Sequence, residues 1–91
     1  MAYVAKIFVT LKRAVNDPQG ITIRGGLHSL GFDSVEQVRV GKYMEVWVDE
    51  PSEQAAGAKV EAMCGQLLAN PVIEDFRYEL EAVSAVPGAS A

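Results

Sequence analysis

Ninety-one residues are too few to divide between two independent cores, so one domain is expected, over residues 1–83, followed by a flexible tail at 84–91. Twelve Asp and Glu against eight Lys and Arg give a net charge of −4, which opposes binding to a phosphate backbone, and the single cysteine, Cys64, can neither bridge internally nor hold zinc alone, which suits a reducing cytoplasm. No apolar run approaches the roughly 20 residues that span a bilayer, and Met1–Lys6 lacks the long uncharged core of a signal peptide, so neither membrane nor nucleic acid is an expected partner.

From Tyr3 to Lys12 the residues alternate, with Ala5, Ile7, Val9 and Leu11 on one side and Lys6, Phe8, Thr10 and Lys12 on the other, which predicts a first strand. Asp17-Pro18 then starts a helix, because an aspartate can cap free backbone N–H groups and proline fits the first helical position. Ile23, Leu27 and Leu30 follow as its buried stripe, and Gly31 followed by Phe32 marks a Schellman-type stop. Gly25-Gly26 lies inside this helix at a cost of about 1 kcal/mol per glycine relative to alanine, which points to close packing against the sheet or to a kink.

Val35 to Asp49 is rich in β-branched and aromatic residues, and Gly41-Lys42 near its middle offers a turn, so this stretch is expected to be a hairpin. Val38 and Val40 mark the inward face of one arm and Met44, Val46 and Val48 that of the other, with Glu45 and Trp47 outward. Pro51-Ser52 opens a second helix, capped by Ser52, with Val60, Met63, Cys64, Leu67 and Leu68 as its apolar stripe and Asn70-Pro71 as its end. The last strand, from about Val72 to Ala82, places Phe76, Tyr78 and Leu80 on one face and Asp75, Arg77, Glu79 and Glu81 on the other. The order βαββαβ predicts an α+β two-layer sandwich, ferredoxin-like or a close variant, with an antiparallel four-stranded sheet and both helices on one face.

So small a core gains from association, and 49% apolar residues leave apolar surface to spare; both favour a homo-oligomer. Phe8 and Trp47 on the uncovered sheet face, with Tyr43 on the hairpin and Arg77 on the last strand, are the candidate interface residues, since aromatics and arginine anchor interfaces. Bracing of the hairpin by cross-strand packing is the alternative role for Tyr43 and Trp47.

Catalytic chemistry has few residues to work with. His28, the only histidine, has no carboxylate at helical spacing to orient it, Cys64 sits in an apolar stripe without a basic neighbour, and strand alternation sends Glu74 and Asp75 to opposite faces. Neither dinucleotide nor Walker spacing occurs. No catalytic residue, metal ligand or cofactor-binding residue is assigned to this chain.

Four segments, in order, resemble the PurS family, the small subunit of multi-subunit phosphoribosylformylglycinamidine synthase. They are Val9-Thr10-Leu11-Lys12, Asp17-Pro18-Gln19-Gly20, Gly41-Lys42-Tyr43, and Leu68-Ala69-Asn70-Pro71-Val72-Ile73-Glu74-Asp75-Phe76. The resemblance covers almost the whole chain. It implies a cytoplasmic subunit, dimeric or tetrameric and inactive alone, in a purine-pathway C–N ligase complex. Its partners are a glutaminase subunit that releases ammonia and a synthetase subunit that carries ATP and Mg and places that ammonia on formylglycinamide ribonucleotide.

Two other readings use the same element order. An acylphosphatase-like enzyme would place Arg13 at a phosphate cradle, although Lys12 to Pro18 contains no glycine and Asp17 would repel the anion. An ACT-like regulatory module would bind a small molecule at a dimer interface.

Overall fold

The structure is a computed structural model that describes residues 1–85; most of the expected tail lies outside the described residues. β1 (Ala2–Leu11), α1 (Pro18–Ser29), β2 (Gly41–Asp49), α2 (Glu53–Met63) and β3 (Glu74–Val83) follow one another, with a π turn at Cys64–Leu68 extending α2. Among the described residues the sheet has three strands in the order β2-β1-β3, both pairings antiparallel.

β1 is central because alternation gives it an apolar inner face that both neighbours can flank. Ala5 sits between Val46 and Leu80, Ile7 between Met44 and Tyr78, and all six face the helix layer. Ala5, Ile7 and Val9 are buried against Val60 and Cys64 of the α2 segment, with Ala69 completing the core.

Both helix starts follow their capping residues. Asp17 accepts a hydrogen bond from the Gly20 N–H at 2.9 Å, and Ser52 Oγ accepts from the Ala55 N–H at 3.1 Å. Gly31 takes φ +94° at the end of α1. There the Gly31 N–H donates to the His28 carbonyl and the Phe32 N–H to the Leu27 carbonyl, the paired bonds of a Schellman motif.

The expected hairpin does not form. Gly41-Lys42 begins β2 instead of turning the chain, and Val35–Val40, Val38 and Val40 included, runs into it as an irregular segment outside the sheet, leaving three strands instead of four among the described residues. The reason lies in where this segment's backbone groups find partners. The Val40 N–H donates to Asp17 Oδ2 at 2.8 Å, Arg24 Nε donates to the Glu36 carbonyl at 2.8 Å, and His28 Nε2 lies 2.7 Å from the Val35 carbonyl. Side chains from α1 and its cap take the place of a strand ladder.

The first helix also departs from expectation. It lies along 35–40 and not on the sheet; Gly20 is its one buried residue, while Ile23 is 45% and Leu30 75% exposed, so the anticipated buried stripe is uncovered. Among the described residues, no atom beyond the helix's own backbone approaches the Cβ positions of Gly25 or Gly26 within 4 Å, so packing against the sheet does not explain them, and the helix is continuous through both. The projecting α1 unit draws the molecule out to 50 × 28 × 22 Å, with a radius of gyration of 17.0 Å where a compact chain of this length would have about 12 Å. Within α2 the π turn, closed by the Ala69 N–H on the Cys64 carbonyl, shifts the helical phase, so Leu67 is 83% exposed while Leu68 packs on the core.

Candidate functional site

The even-numbered side of β1 faces away from α2, and no described element covers it. Strand register builds it in rows: Val4 between Trp47 and Glu81, Lys6 between Glu45 and Glu79, Phe8 between Tyr43 and Arg77, and Thr10 between Gly41 and Asp75. All four candidates named from the sequence, Phe8, Tyr43, Trp47 and Arg77, are therefore brought to one face, three of them in a single row.

That row is ordered by its own contacts. The Phe8 and Tyr43 rings lie 5.0 Å apart at 47°, and the Arg77 guanidinium carbon sits 3.9 Å above the centre of the Phe8 ring. Arg77 also pairs with Glu79 at 3.3 Å, and the Tyr43 hydroxyl donates to Glu45 at 3.2 Å. Burial, followed by the bond to Glu45, pushes the Tyr43 phenol up. Lys6 reaches Glu81 at 3.2 Å; that hydrogen bond and the attraction of the same carboxylate hold its ammonium above the usual range. Tyr43 is half exposed, and Trp47 is half-buried beside Val4, which is buried.

A second polar centre joins the loop after β1 to the segment before β2. Asp17 is 5% exposed and accepts from the N–H groups of both Gly20 and Val40, which together hold its carboxyl below the ordinary aspartate range. Arg39 donates to the carbonyls of Leu11 and Lys12 at 2.9 Å each and of Val15 at 3.3 Å. This clasp occupies the place where an acylphosphatase-like cradle would sit. The Gly20 N–H is taken by a carboxylate, and Arg13 is exposed in the turn beyond it.

The remaining reactive groups stand apart. Cys64 is fully buried, and burial pushes its thiol up, away from thiolate character. His28 donates to a backbone carbonyl from the middle of the projecting unit. Among the described residues, no three His, Cys, Asp or Glu side chains gather as metal ligands would.

Sequence reasoning missed Arg39 and the second bond of Asp17, because both join residues about 23 to 28 positions apart and no local spacing signals them. It also passed over Asp49, which continues the alternation of Tyr43, Glu45 and Trp47 along β2.

The family model described as PurS, phosphoribosylformylglycinamidine (FGAM) synthase, matches residues 4–82. The chain is 45% identical over 82 residues to the phosphoribosylformylglycinamidine synthase subunit PurS of Synechocystis, covering 90% of this chain and 82% of that one. Its fold is similar to that of Bacillus subtilis PurS, with a TM-score of 0.77 at 48% identity over 88% of this chain and 99% of that one. It is also similar to a chain of the PurLQS structure from Thermotoga maritima, with a TM-score of 0.82 at 28% identity over 89% of this chain and 99% of that one. A match from the first strand to the last, in sequence and in fold, establishes that this chain belongs to the PurS family of phosphoribosylformylglycinamidine synthase subunits.

Proposed function

We propose that the chain works as the non-catalytic small subunit of an FGAM synthase in purine biosynthesis, helping a glutaminase subunit to dock on an ATP-dependent synthetase subunit. Ammonia released by the first then reaches formylglycinamide ribonucleotide on the second. The observation that carries this reading is the family match over residues 4–82, and the likeness to a chain of a PurLQS assembly supports it. ATP and Mg belong to the synthetase in this scheme, and the small subunit contributes surface.

The same reading includes association with further copies of the chain. The exposed stripe of α1, with Ile23, Leu30 and the following Phe32, has no cover among the described residues and suits burial against a second copy.

Reconstitution with the other two subunits tests the scheme. Glutamine-dependent synthesis is expected to require this protein, whereas synthesis from high free ammonia requires it far less, because ammonia then reaches the synthetase without a docked glutaminase. Equal glutamine-dependent rates with and without the protein would overturn the docking role.

A further inference from the structure

β2 is an edge strand, and its outward side chains in order are Tyr43, Glu45, Trp47 and Asp49. Aromatic and acid alternate along about 20 Å of strand, at roughly 6.8 Å per pair of residues. No cation interrupts the series. On the rest of the face Glu79, Glu81 and Asp75 accompany Lys6, Arg77 and, just past the end of β1, Lys12. Lys6 is already held by Glu81, and Arg77 by Glu79 and the Phe8 ring. Asp75 takes Lys12 at 2.8 Å, and Asp49 takes the terminal ammonium at 3.1 Å. Among the described residues, Glu45 is left with only the neutral Tyr43 hydroxyl as a hydrogen-bond partner, between two aromatic side chains on an exposed strand.

Such a ladder offers an incoming guanidinium or ammonium both a ring to stack on and a carboxylate to pair with. The same face of a second copy fits poorly: it would set acid against acid, and its cationic side chains, Lys6, Lys12 and Arg77, are already engaged.

We propose that the Tyr43–Glu45–Trp47–Asp49 ladder is the docking surface for an arginine-bearing surface of a different protein, and that copies of this chain associate elsewhere. In identifying that protein with one of the two larger subunits, the proposal rests on the assembly reading above; the chemistry of the surface stands apart from it. Two surfaces then divide the labour. α1 is acid-free and exposes an apolar stripe, and serves the homo-oligomer; the sheet face is aromatic and acidic, and serves the hetero-complex.

The experiment uses two readouts on the full chain and on Trp47→Ala, Glu45→Lys and Glu61→Lys, the last making the same charge change on α2. The first readout is affinity for the synthetase and glutaminase subunits, measured with the oligomer size. The ladder variants should bind at least tenfold more weakly with their oligomer size retained, while Glu61→Lys binds like the parent. The second readout is the fluorescence of Trp47, the only tryptophan, titrated with a hexa-arginine peptide in the parent, Glu45→Lys and Glu61→Lys. A saturable change is expected in the parent and in Glu61→Lys, and is lost in Glu45→Lys. Parental subunit affinity in both ladder variants, or dissociation of the homo-oligomer by either, would overturn the proposal. A parent protein that binds neither subunit overturns the assembly reading, and the fluorescence then still decides whether the ladder takes arginine.

Discussion

Asp17 connects three residue-level facts: it caps α1, it receives the Val40 N–H, and it is nearly buried. Its carboxyl titrates below the ordinary range, so the unfolded chain binds this proton more readily than the folded one. The stability it confers is therefore fully present above the unfolded value near 4 and is lost as pH falls through the lower folded value. Asp17→Asn is expected to be less stable than the parent at pH 7 and to lose less on going from pH 5 to pH 2. Urea midpoints across that range check both statements. Gly20 is fixed by space: a Cβ there would overlap the Val38 carbonyl oxygen. Gly20→Ala should cost about 1–3 kcal/mol, readable as a lower denaturation midpoint, because the obstacle is backbone and cannot swing aside. The sequence signals for this region were local, an aspartate followed by proline, and they located the cap correctly. The partners of Arg39 and the second bond of Asp17 were not legible, since each depends on how the chain returns after more than 20 residues.

Among the elements, alternation and capping identified all three observed strands, both helices and the faces of β1 and β3, because each signal is carried within a few neighbouring residues. Val35–Val40 misled for a physical reason. It has the β-branched composition of a strand, but strandedness requires a neighbour, and its hydrogen bonds go to Asp17, Arg24 and His28. The stripe of α1 was read correctly as apolar and wrongly as buried, since periodicity reports which residues seek cover and not what supplies it. If a second copy supplies it, Leu30→Glu will weaken self-association by tenfold or more while leaving the sheet intact. Sedimentation across a concentration series, with circular dichroism as the control for folding, checks this. A side chain that is 75% exposed in the single chain has little to lose within it. The core should respond in the opposite manner: Ile7→Ala, at a fully buried position of the central strand, should cost about 2–5 kcal/mol of unfolding free energy.

For the molecule as a whole, the strand order has a kinetic consequence. β1 comes first along the chain but lies in the middle of the sheet, and its partners arrive late: Ala2 faces Asp49 on one side and Val83 on the other. Even the nearest pairs, Thr10 with Gly41 and Leu11 with Glu74, close loops of roughly 30 and 60 residues, the non-local pairing that slows folding and exposes unpaired strands. Refolding from urea should therefore be slow for so short a chain, on the order of milliseconds to seconds, and stopped-flow fluorescence of Trp47 would follow it from the β2 side. A nascent chain that has reached β2 but not β3 holds a hairpin-like pair with one side of β1 bare, a ready template for another unfinished copy. Expression conditions that let such intermediates accumulate should yield aggregates seeded by residues 2–11, even though this strand is the best protected part of the finished protein.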